Sequence, residues 1–225
     1  QVCNGKLVTK SHFELFGTAH ALAIASLYNP TKGISEEHVV ASFDRAKLVV
    51  LSFDVRTAGL TPMRFFNAED DAIGLGADVK AASLLATGHS MELSVDSDMA
   101  IACAHIYESS FFLAPLRRES EATGSSTCKP FAVEHRSLGI RNRILKFFFM
   151  PHYRRPTLAI LYETGAVPTG HIGKARHTCN VMVLSVDVAK QRLVKLWERD
   201  GLPHDCSNLF ALSHPALQGG LGLVS

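Results

Sequence analysis

Two aspartates two residues apart, Asp96 and Asp98, and a trio of His171, His177 and Cys179 are the side chains whose types and spacing first suggest chemistry. Paired carboxylates can share acid–base work. Set between two apolar runs, however, Asp96 and Asp98 read first as a solvated turn. His171 and His177 are six residues apart, and His177 and Cys179 fall at i and i+2 on a predicted strand, so the latter two would face one side. A structural metal site needs a further ligand at recognisable spacing, and none follows. The expectation is surface or loop histidines. Gly74-Leu75-Gly76 opens like a dinucleotide loop but lacks the third glycine and a strand–helix frame. No serine sits in a G-x-S-x-G elbow, and no glycine-rich stretch ends in Gly-Lys-Ser/Thr. No catalytic, cofactor-binding or metal-binding residue is expected, and no cofactor.

The strongest local charge feature is the stretch 136–155. It holds Arg136, Arg141, Arg143, Lys146, Arg154 and Arg155 with no acidic residue, interleaved with Phe147, Phe148, Phe149 and Tyr153. Basic groups with aromatics can track a phosphate backbone and stack bases. The three phenylalanines fall inside a predicted strand, where aromatics usually fill a core. Solvated rim charges, an acidic protein partner and RNA all stay open, and a salt-sensitive interaction would favour the latter two.

Composition narrows the classes. The 225 residues are 47% apolar and 20% charged, enough for one large or two small folded domains rather than a disordered chain. Lys+Arg 23 against Asp+Glu 21 leaves +2, too balanced to make the whole surface a trap for nucleic acid or membrane. Five scattered cysteines (Cys3, Cys103, Cys128, Cys179, Cys206) form no CxxC pair and fit a reducing compartment. The uncharged stretch 206–225 is interrupted by His214, Pro215, Gln218 and three glycines, which a lipid-spanning helix would expose to hydrocarbon. The first residues show no apolar leader core and no initiator Met, which suggests a processed or partial chain.

The elements that must carry these residues are short. Apolar runs at 39–43, 47–53, 91–95, 99–106, 110–116, 144–149, 157–163, 178–186 and 192–197 read as strands. Separators such as Asp44-Arg45-Ala46, Asp96-Ser97-Asp98 and 187–191 are hairpin length, and Asp suits them by bonding nearby backbone N–H groups. Leu48-Val49-Val50-Leu51 and Val181-Met182-Val183-Leu184 are apolar on both faces, so both sides of each strand need covering. Helices could do that, but the gaps are mostly too short for crossovers. Blades of a β-propeller, each four-stranded antiparallel sheet lying between two neighbours, fit the spacing best. The expected fold class is therefore all-β, part of a propeller with an incomplete ring, with Val49, Leu51, Ile101, Ile160, Leu161, Val183 and Leu184 in the core. Helical propensity competes at the Ala-rich 17–28, at 78–86 and at 187–197. With Trp197 the only tryptophan and no Gly-His…Trp-Asp repeat, a WD40 array is excluded. A polar, flexible interior loop is expected at about 118–133.

The residues also carry a resemblance. The run from His152 to Glu163, with Pro156-Thr157-Leu158 at its centre, resembles a strand of the large scaffold subunit of the cleavage and polyadenylation specificity factor. The apolar strand at 178–186, Trp197 and then Leu202-Pro203-His204-Asp205-Cys206 is similar to that subunit's next segment. Val95-Asp96-Ser97-Asp98, followed by Pro115-Leu116-Arg117-Arg118-Glu119-Ser120, resembles its upstream strand pair and exit, and Phe16-Gly17 and Ala46-Lys47-Leu48 fall in the same order. The similarity runs from about residue 13 to 224. It implies that residues 1–225 are a fragment of a single β-propeller domain, the first of three. It also implies a nuclear, non-catalytic scaffold of mRNA 3′-end processing that organises recognition of the polyadenylation signal. The partners it implies are a WD-repeat subunit and a CCCH zinc-finger subunit in a heteromeric complex, with pre-mRNA contacted mostly through them and no membrane. The rival within the same architecture is a direct nucleic-acid binder, like the damaged-DNA-binding or splicing factor 3b large subunits. A small α/β enzyme is the rival outside it.

Overall fold

The computed structural model describes residues 2–3, 6–7, 12–15, 17–29, 32–54, 56–57, 59–71, 91–117, 129–165, 177–214 and 217–224. Two strand pairs lie at its ends: β1 (Val2–Cys3) with β2 (Lys6–Leu7), and β15 (Asn208–His214) with β16 (Leu217–Val224). Between them are three four-stranded antiparallel sheets, each a simple meander. The first holds β3 (Ala19–Asn29), β4 (Ile34–Phe43), β5 (Lys47–Asp54) and β6 (Gly59–Asn67). The second holds β7 (Leu93–Asp96), β8 (Ile101–Ile106), β9 (Ser110–Pro115) and β10 (Phe131–Glu134). The third holds β11 (Ile144–Phe149), β12 (Thr157–Glu163), β13 (His177–Asp187) and β14 (Arg192–Pro203). Helix among the described residues amounts to α1 (Ala68–Asp71) and a 3-10 turn, His135–Leu138. The fold is all-β and built of propeller-type blades, and no closed ring is formed among the described residues.

The aspartates of the separators do what their chemistry allows. The Asp96 carboxylate accepts from the Met99 N–H at 3.1 Å, and the Asp187 carboxylate from the Lys190 N–H at 3.1 Å. In the turn after β4, Arg45 and Ala46 take φ of 57° and 52°, the left-handed backbone of a tight hairpin.

Alternation along the strands sets the layers. In β8, Ala102, Ala104 and Ile106 point to the first sheet while Ile101 and Cys103 point to the third; in β9, Phe112 and Ala114 divide from Phe111 and Leu113 in the same way. The third sheet repeats the pattern. Leu158, Ile160, Met182 and Leu184 face the second sheet, whereas Ala159, Leu161, Val181 and Val183 face Cys206, just before β15, and Leu209 within it. This double covering explains the both-face apolar run at 181–184, whereas in the first sheet Leu48 and Val50 enter the core and the other face leaves Leu22, Ile24 and Phe65 exposed. The first strands meet in series, β3 beside β7, β7 beside β11 and β11 beside β15. Side chains tie them: the Ser26 N–H donates to the Ser97 hydroxyl at 3.1 Å and the Phe149 N–H to the Ser94 hydroxyl at 2.9 Å.

The Ala-rich segment at 17–28 is strand β3, not helix. Ala25 is wholly buried against the second sheet and the Ser26 amide is tied to it, so tertiary contact overrides propensity. Residues 187–197 likewise form a turn and the start of β14. Of the expected core, Leu51, Ile101, Ile160, Leu161, Val183 and Leu184 are buried and Val49 is half-buried. Most of the expected loop at 118–133, and the Ala/Leu-rich 78–86, lie outside the described residues, while Phe131 to Val133 belong to β10.

Candidate interaction surface

The meander dictates where the basic residues go. Arg136, in the 3-10 turn, and Arg141 and Arg143, just before β11, are exposed at the end of the third sheet where β11 begins. The Glu163 N–H donates to the Arg143 carbonyl at 2.9 Å and fixes that corner. Arg154 and Arg155 are exposed in the turn after β11, hence at the opposite end of the same sheet, roughly 20 Å away along six extended residues. Lys146 lies between, half-buried in mid-strand. The six cations are thus divided between two rims. The interleaved aromatics belong to the interior: Phe147 and Phe149 fill the seam with the second sheet, and Phe148 and Tyr153 lie against the core beside β15.

Antiparallel pairing brings Arg155 to cations that the sequence leaves 35 residues and more away. The hairpin from β13 to β14 turns at the same rim, so Arg155, Lys190 and Arg192 surround a groove of about 610 Å³. Val194 and Leu196 line its apolar side, and Asp187 stands among the cations with its carboxylate 3.8 Å from Arg192 Nε. Trp197, half exposed, continues the apolar strip along β14. Lys190, Arg192, Val194 and Leu196 were not singled out from the sequence. Their signal was present in the charge at the hairpin and in the outermost position of the last strand of a meander. The arrangement suits an acidic, partly apolar ligand and holds no group poised for bond-making.

The groups with chemical promise resolve into structure. Asp96 caps its turn, and burial first, with the neighbouring Asp98 charge, pushes its carboxyl above the usual carboxylate range. His177 is exposed at the start of β13, and a register shift separates it from the buried Cys179, which faces the core beside β15. His171 and the glycines Gly74 and Gly76 lie outside the described residues. Among the described residues no three His, Cys, Asp or Glu side chains gather to hold a metal ion. Cys103, Cys179 and Cys206 are free and buried, and burial pushes each thiol up, away from the reactive thiolate.

One polar network on the third sheet looks site-like. The Tyr162 hydroxyl donates to Glu198 at 2.5 Å, Lys195 Nζ meets the same carboxylate at 2.7 Å, and Asn180 Nδ2 donates to Asp200 at 2.6 Å. Burial, then Glu198, pushes the Tyr162 hydroxyl up to about 12, so it stays a proton donor in a structural bond. Its members satisfy one another.

No family model matches the chain. It is similar over nearly its whole length to curated relatives named cleavage and polyadenylation specificity factor subunit 1. The Drosophila melanogaster protein is 25% identical over 90% of this chain, and the Arabidopsis thaliana protein 21% identical over 91%. A Caenorhabditis elegans protein with the same name, marked probable, is 22% identical over 89%. The chain spans about 15% of the length of the fly and Arabidopsis relatives. The resemblance to the large subunit of this factor, read from the motifs, therefore extends over about nine-tenths of the sequence.

Proposed function

We propose that this chain is part of a non-catalytic scaffold in the machinery that cleaves and polyadenylates mRNA 3′ ends, acting in the nucleus within a heteromeric complex. Similarity to specificity-factor subunits along about nine-tenths of the chain carries this reading. The structure supports it physically. The second and third sheets are packed on both faces, which makes a stiff platform. On this reading the chain docks a WD-repeat subunit and a CCCH zinc-finger subunit, and pre-mRNA is specified mainly by those partners. The test is affinity purification of the tagged chain from nuclear extract with identification of the bound subunits. Recovery of polyadenylation factors is expected, and their consistent absence from a folded, soluble preparation counts against the scaffold.

The groove rimmed by Arg155, Lys190 and Arg192 favours a second reading, direct contact with a polyanion. Changing all three to Ala then weakens RNA binding uniformly across sequences and lowers the slope of log affinity against log salt by about two units for single-stranded RNA. Binding that is weak and insensitive to these changes leaves the rim as a solvated edge.

A further inference from the structure

The seam between the second and third sheets holds two imidazoles that the proposed scaffold does not use. His105 on β8 and His135 in the 3-10 turn stack with ring centroids 4.8 Å apart and planes inclined at 28°. Phe111 closes on both rings at 5.7 and 4.7 Å, and Phe147 meets His105 edge-on at 6.2 Å. The Nε2 atoms of both histidines are buried without a hydrogen-bond partner, as are the hydroxyls of Ser109 and Ser110 in the adjoining turn and strand. The His135 N–H donates to the Ser109 carbonyl at 2.8 Å, which anchors this corner, and the 3-10 turn belongs to the short connection from β10 to β11.

We propose that the His105–His135 stack is a proton-sensitive latch that holds the second and third sheets together only while both rings are neutral. An added proton puts charge among stacked aromatic rings where the buried Nε2 of each imidazole has no hydrogen-bond partner, and stacked cations repel. Among the groups facing the pair, the Glu108 carboxylate in the turn after β8 favours a charged His105, while Cys103 on the same face of β8 is a neutral buried thiol. Phe111 from β9 and Phe147 from β11 offer no charge. Burial, only partly opposed by Glu108, holds His105 down to about 4; burial and then His105 itself hold His135 down to about 3. In the opened state the rings titrate near the ordinary value of about 6.5. The open state therefore binds more protons between those values, so the latch is fully closed above about pH 6.5 and weakens as pH falls, by about tenfold in the open–closed equilibrium per pH unit and ring. Because His135 sits in the connection between sheets, the loss is local to the seam, and Phe111 and Phe147 become accessible.

Amide exchange of the full chain at pH 7 and pH 5, corrected for intrinsic rates, tests this. Protection in β8–β9 and in residues 131–149 is expected to fall at least tenfold, while the β4–β5 core holds. His135→Phe, which keeps a ring in the stack, is expected to remove one ring's share of that difference, about tenfold per pH unit, and His105→Phe with His135→Phe to abolish it. Equal loss in all three sheets, or an unchanged pH response in His135→Phe, overturns the latch. Should that variant not fold, side-chain NMR titration of the unaltered chain decides. Two imidazoles that stay neutral in the closed state at pH 5.5 support it, and ordinary titration of every imidazole overturns it.

Discussion

Leu161 and Arg154 lie seven residues apart on one hairpin and mark the two extremes of what a side chain contributes here. Leu161 is wholly buried between the third sheet and β15, while Arg154 is exposed in the preceding turn. Leu161→Ala removes a filled volume that rigid sheets cannot close, and costs about 2–4 kcal/mol in urea unfolding. Arg154→Ala changes stability by no more than about 0.5 kcal/mol. Comparable losses at both sites would contradict the packing. Leu161 was legible as core because its run is apolar on consecutive residues. The His105–His135 stack was not legible: nothing in a sequence pairs two histidines thirty residues apart until register and sheet contact do so.

Among elements, the short connection from β10 to β11 joins the second sheet to the third through a 3-10 turn. Gly139 ends the 3-10 turn at φ 85°, and its N–H donates to the Arg136 carbonyl at 3.1 Å. A side chain is strained in that backbone, so Gly139→Ala lowers stability by about 1 kcal/mol, read as a shift in the denaturation midpoint. No neighbour lies within 4 Å of the added methyl, so a much larger loss would point to another cause. Strands β11 and β12 matched their apolar runs end to end, because both are covered on two faces and every residue carries a signal. The Ala-rich β3 and the glycine-bearing β16 were not singled out as strands. Ala and Gly carry little β propensity, and their pairing comes from neighbouring strands instead.

At the scale of the molecule, the outermost strand of the third sheet leaves Trp197 half exposed, and as the sole tryptophan it reports on that surface. In the chain alone, acrylamide quenches its emission readily, and docking of a partner along β14 moves the emission to shorter wavelength and slows quenching. A tryptophan already shielded in the isolated chain would contradict the placement of β14. By itself the sequence determined that the protein is built of short sheets joined by hairpins, and that the strand at 181–184 is covered twice, because apolar side chains on consecutive strand residues demand cover on both faces. It also carried the family resemblance, since motif order survives where identity is low. Only the tertiary structure decided which charges meet. Chain order set Arg136 and Arg155 in one basic run, whereas the meander sent them to opposite rims and joined Arg155 to Lys190 and Arg192. Strand direction and register are fixed by contacts between distant residues, and those contacts exist only once the chain has folded.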